Sequence, residues 1–129
     1  MLALNHTFLT NVGVAPDSLR GFIPISGEIS THFTVIAERK LPQGTVIFDE
    51  ASPLFYVSKQ MPPLDMFVSE ADMPGRLEEN KKFLAAATQA GNKTTQLNVI
   101  AHRSHVSIES KMAEPGDPVF NAVLQFIQK

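Results

Sequence analysis

The chain has 129 residues, enough for one domain and too few for two comfortable ones. Its composition is 43% hydrophobic and 19% charged, with no apolar run of about 18 residues that would span a membrane. A net charge of −2 lacks the basic footprint of a nucleic-acid binder, and the absence of cysteine excludes disulfides, thiolate metal sites and a cysteine nucleophile. No basic start leads into an apolar stretch, so no signal peptide is expected.

Residues 3–12 put Leu4, Phe8 and Val12 on one helical face, and Gly13 stands where a helix end favours a left-handed residue. Residues 16–19 read as a turn or a single helical turn. Residues 21–27 are a short apolar run bracketed by glycines, which predicts a buried strand with Pro24 near its end. Residues 34–39 have helical character, and Leu41-Pro42-Gln43-Gly44 is turn chemistry. Residues 51–63 are punctuated by proline and read as an ordered loop. Residues 64–69 predict a second strand that emerges into the polar Glu70-Ala71-Asp72.

The clearest helix covers residues 76–90. Leu77, Phe83, Leu84 and Ala87 form its apolar stripe, Glu78, Glu79, Lys81 and Lys82 face water, and Gly91 is the stop. In its first turn the two glutamates suit the helix dipole and Arg76 does not. Residues 94–100 predict a third strand, followed by His102-Arg103-Ser104-His105 in a loop. A last helix runs from Pro118, capped by Asp117, with Val119, Phe120, Val123, Leu124 and Ile127 as its stripe. Strands alternating with amphipathic helices predict an α/β fold of about three mostly parallel strands with flanking helices.

In open parallel sheets the reactive groups sit just past the carboxyl ends of the strands. Asp72 and His105 hold those positions. An acid there can fix the tautomer of an imidazole that shuttles a proton, which is two thirds of a nucleophile–His–acid triad. Taken alone, a solvated Asp and a loop His are the plainer reading of this pair. Other constellations fall short. His102 and His105 lack a third metal ligand nearby in sequence, and no cofactor is called for. His6 and His32 read as surface residues, and Met61, Met66 and Met73 as packing around the second strand. Asp49 and Glu50 with Asp65 are paired carboxylates only on paper.

A resemblance extends over nearly the whole chain. It rests on residues 20–27 (Arg-Gly-Phe-Ile-Pro-Ile-Ser-Gly), residues 30–35 (Ser-Thr-His-Phe-Thr-Val), residues 49–57 and Pro62-Pro63-Leu64. It continues through residues 72–80 (Asp-Met-Pro-Gly-Arg-Leu-Glu-Glu-Asn), His105 and residues 112–118 (Met-Ala-Glu-Pro-Gly-Asp-Pro). In order and spacing these segments resemble the C-terminal part of an α/β-hydrolase of the carboxylesterase or lipase-like kind, related to feruloyl-type esterases. The resemblance implies a single partial domain over residues 1–129 and a small-molecule ester as substrate. It also assigns the triad acid to Asp72 and the triad histidine to His105.

Two features depart from that pattern. Ser104 and Val106 flank His105 where the family often has an Asp before the histidine and a small residue after it. No serine lies in a Gly-x-Ser-x-Gly elbow, and Ser26, with Pro24 two residues before it and Gly27 next to it, is not one. The expectation is a chain that begins just after the nucleophile and lacks the N-terminal half of the fold. The alternative is a non-catalytic binding remnant of the same fold.

Overall fold

The computed structural model describes residues 1–128. Strand β1 (Leu64–Ala71) is buried at its first six positions. Such an unbroken buried run belongs to a parallel strand covered on both faces. Strand β2 (Thr95–Ser104) pairs with it in parallel, starting from Leu64 opposite Thr95, and is only half buried. On the other side of β1, residues 22–26 run parallel to it through bridges at Phe22–Leu64 and Ile25–Phe67.

The predicted first strand is therefore present as a paired segment and not as a continuous ladder. Phe22 N–H donates to Pro63, Asp65 N–H to Phe22, Phe67 N–H to Pro24, and Ser26 N–H to Phe67. Pro24 has no N–H, so the rung between these bonds cannot form.

Helix α1 (Thr7–Thr10) is shorter than residues 3–12 suggested, and it buries Leu9, leaving Phe8 and Val12 exposed. Residues Pro16–Ser18 make a 3-10 turn, and helix α2 (Phe33–Glu38) follows within the long excursion before β1. The proline-rich stretch holds a second 3-10 turn, Pro53–Tyr56.

Helix α3 (Arg76–Gln89) links β1 to β2 and ends ahead of Gly91, whose φ of 83° is left-handed. It lays Phe83 and Ala87 on Ile29, Met61, Leu64 and Met66. Its buried stripe is Arg76, Asn80, Phe83 and Ala87, so two of its four positions are polar. Leu77 and Leu84 lie at the flanks. Glu79, expected in water, instead accepts from Ile29 N–H at 3.2 Å and Ser30 Oγ at 2.9 Å.

The opposite face of the sheet packs Phe67 against Ile108 of helix α4 (Ser107–Ser110) and Val119 of helix α5 (Pro118–Gln128). Phe67 and Phe83, on opposite faces, each contribute about 2–3 kcal/mol by burial. Asp117 caps α5 as expected, its Oδ1 accepting from Val119 N–H at 2.9 Å and Phe120 N–H at 3.0 Å. The α5 stripe is rotated from the expected one. Val119, Ala122, Val123 and Phe126 turn inward, and Phe120, Leu124 and Ile127 are exposed. No helix of the described residues is long and apolar enough to cross a membrane.

Candidate active site

Both strands run further than the sequence suggested, and this brings Asp72 and His105 together. Asp72 directly follows Ala71 at the end of β1, and His105 directly follows Ser104 at the end of β2. Of the segment 102–105, expected as loop, residues 102–104 are the last part of β2. Register decides the outcome. Ser69 pairs with Ile100 but Ala71 pairs with Ser104, so β2 takes four steps where β1 takes two. Without this bulge Asp72 would lie opposite Arg103; with it, Asp72 lies opposite His105. His102 sits inside the bulge at φ 56°, and its N–H donates to Glu70 Oε2 at 3.1 Å.

Four donors converge on the Asp72 carboxylate. Oδ1 accepts from His105 Nδ1 at 2.8 Å and from the Met73 N–H at 2.8 Å. Oδ2 accepts from Ser26 Oγ at 2.6 Å and from the Ser69 N–H at 3.2 Å. The Asp72 side chain is 1% exposed and the His105 side chain 42%. Burial by itself would push the Asp72 carboxyl up. The bonds from Ser26, Met73, Ser69 and His105 outweigh it and hold the group below the usual carboxylate range.

An ionised carboxylate only accepts, so the His105 Nδ1 carries the proton and the neutral ring keeps its lone pair on Nε2. Among the described residues Asp72 is the one hydrogen-bond partner of the ring. The arrangement is a buried acid orienting a half-exposed imidazole whose free nitrogen can take up and return a proton.

The histidine is held from both sides. Ser104 carbonyl accepts from Ser69 Oγ at 2.9 Å, and Ser104 N–H donates to Ser107 Oγ at 2.7 Å. Ile108, fully buried, anchors the turn after it, while Val106 is exposed. Below the bulge, Arg103 Nη2 donates to Asp117 Oδ2 at 2.7 Å and ties β2 to the start of α5.

A cleft of about 860 Å³ includes Met73 and Pro74, which follow Asp72 in the chain, but not Asp72 itself. Phe33, Ile36 and Val46 form an apolar wall, and Glu28, Arg76 and Glu79 a charged one. His105 is not part of its lining. Arg76 is nearly buried, 3.5 Å from Glu28 and 3.6 Å from Glu79.

The remaining candidates are dispersed. His32 caps α2, its Nδ1 accepting from Thr34 N–H at 3.2 Å. Asp49 accepts from Thr31 Oγ1 at 2.7 Å and pairs with Arg39, while Asp65 accepts from Asn98 Nδ2 at 2.7 Å. Met61 and Met66 are core, and the exposed Met73 lines the cleft. Neither Ser26 nor Ser107 bonds the imidazole: the Ser26 proton points at the carboxylate, and Ser107 bonds Ser104. The sequence reading missed Ser26, Ser69 and Arg76 as parts of this region. A serine closing an apolar run just ahead of a glycine was the available signal for the first.

The fold this frame defines is that of the C-terminal part of an α/β esterase. Among solved structures the chain is similar to esterase 2 of Thermogutta terrifontis. The tabun-phosphoramylated form superposes with a TM-score of 0.59 at 18% identity, over 84% of this chain and 39% of that one. The propionate-bound form gives 0.59 at 16% identity over 84% and 40%, and the cyclosarin-phosphonylated form 0.59 at 20% over 84% and 38%. The chain thus spans about two fifths of these esterases. No protein-family profile and no curated sequence matches it.

Proposed function

We propose that this chain supplies the acid and the histidine of a serine hydrolase acting on small carboxylic esters. His105 is its general base and acid and Asp72 the group that orients it. The observation that carries this reading is the 2.8 Å contact between His105 Nδ1 and a fully bonded, buried Asp72 at the carboxyl edge of parallel strands. In this reading the serine nucleophile and the oxyanion donors come from polypeptide outside these 129 residues, as part of the same fold. Resemblance to an esterase crystallised with propionate makes short-chain esters the class to assay.

The test uses the polypeptide that carries these residues together with a Gly-x-Ser-x-Gly segment. It should hydrolyse short-chain aryl esters. His105→Ala should abolish turnover, because a serine hydroxyl is a poor nucleophile without a base at hydrogen-bond distance. Asp72→Asn should cost about 10⁴-fold in kcat, the loss seen when a triad imidazole takes the wrong tautomer. The 129-residue chain alone should show no labelling by a fluorophosphonate. Full ester hydrolysis by His105→Ala would overturn the assignment, and absence of hydrolysis by the parent polypeptide would favour a binding module built on the same frame.

A further inference from the structure

Ser26 occupies a place that its backbone does not suit. Its φ of 49° is left-handed, where a side chain brings strain and glycine brings none. A glycine follows immediately, at position 27. The side chain is nevertheless present, the residue is 5% exposed, and its hydroxyl is spent on one contact, 2.6 Å to Asp72 Oδ2. Its own N–H is bonded to Phe67, so the segment is fixed to β1 one residue before the chain turns away.

The carboxylate can rotate about its last torsion, and a planar group bonded only through Oδ1 would be free to swing. Ser26 and the Ser69 N–H grip Oδ2 from the far side, which aims Oδ1 at the imidazole. The hydroxyl also stabilises the ionised form in a place where burial opposes it.

We propose that Ser26 is a positioning residue of the Asp72–His105 pair, its left-handed backbone strained so that its hydroxyl can orient the buried Asp72 carboxylate. The catalytic importance of this role rests on the esterase reading; the contact itself does not. Ser26 is then a third polar member of the site, brought by the segment on the opposite side of β1 from His105.

Two substitutions separate positioning from mere packing. Ser26→Gly removes the hydroxyl and relieves the backbone. Ser26→Thr keeps the hydroxyl and adds a β-branched side chain at a left-handed position. The Asp72 carboxyl carbon is followed by NMR during an acid titration of the whole chain, and thermal melts are recorded beside it. Expected is an upward shift of the Asp72 titration in Ser26→Gly with the melting temperature kept or raised. In Ser26→Thr the Asp72 titration should stay low although the melting temperature falls. A residue that only packs would move stability and titration together. If Ser26→Thr does not fold, Ser26→Gly decides alone: an Asp72 titration unchanged from the parent overturns the proposal. This readout needs no turnover, so its failure is distinct from failure of the esterase reading. In the polypeptide that carries the nucleophile, Ser26→Gly should lower kcat by about ten- to a hundredfold with KM unchanged, the worth of a hydrogen bond to a charged group.

Discussion

The buried Asp72 and the partly exposed Asp49 both fill each carboxylate oxygen with donors. Asp49 accepts from Thr31, Arg39 and the Ala51 N–H, and these hold its carboxyl at about 2 against an ordinary 3.8. A carboxyl lowered in the folded state binds its proton more readily in the unfolded chain, so its stabilising effect is complete above the unfolded value. That effect fades as pH falls through the window from 3.8 to about 2. Stability should therefore fall with acid across this window, with Asp72 acting in the same direction. In Asp49→Asn the slope of melting temperature against pH below 4 should flatten, because that group no longer titrates; a slope equal to the parent's would show that the Asp49 contacts carry no pH dependence.

Elements were legible where periodicity was strong, and the two candidate residues were legible by their place past the strand ends. The buried run of residues 64–69 and the helix after it announce themselves by pattern, whereas strand-end position only nominated Asp72 and His105, and the resemblance gave them roles. Three things were hidden. Arg76 and Asn80 are polar and lie outside the apolar stripe that the sequence offers, yet both are buried, and Asn80 Nδ2 donates to the Gly27 and Arg76 carbonyls. The bulge that aligns His105 with Asp72 has no signature in composition. Helix α5 is apolar on two sides, so its period alone could not choose the inward one. Close approach makes that choice: an added Cβ at Gly21 would lie 2.6 Å from Phe126 Cζ and 2.8 Å from the Pro63 carbonyl. Gly21→Ala should thus push α5 off the sheet and cost about 1–3 kcal/mol in a denaturant melt, the usual cost of overpacking. An unchanged midpoint would mean that α5 is not held by this contact.

At the scale of the whole molecule, three parallel segments are covered on both faces by helices, but neither outer edge pairs with a further strand among the described residues and one helix face remains open. The outward backbone groups of Ile23 and Ile25 have no backbone partner among the described residues. Phe120, Leu124 and Ile127 lie exposed along the outer side of α5. An open parallel edge and a contiguous apolar strip both favour association with another chain over exposure to water. Net charge of −2 offers little repulsion to oppose it. The 129-residue chain by itself should therefore self-associate as its concentration rises through the micromolar range. Leu124→Lys with Ile127→Lys should move that association to higher concentration while leaving the melting temperature within a few degrees, since exposed substitutions rarely change stability by more than about 0.5 kcal/mol. Sedimentation velocity over a concentration series separates the outcomes. A parent chain that stays monomeric at the highest concentration would show that the outer face of α5 and the open edges are tolerated in water. A double variant that unfolds would show instead that Leu124 and Ile127 are packed.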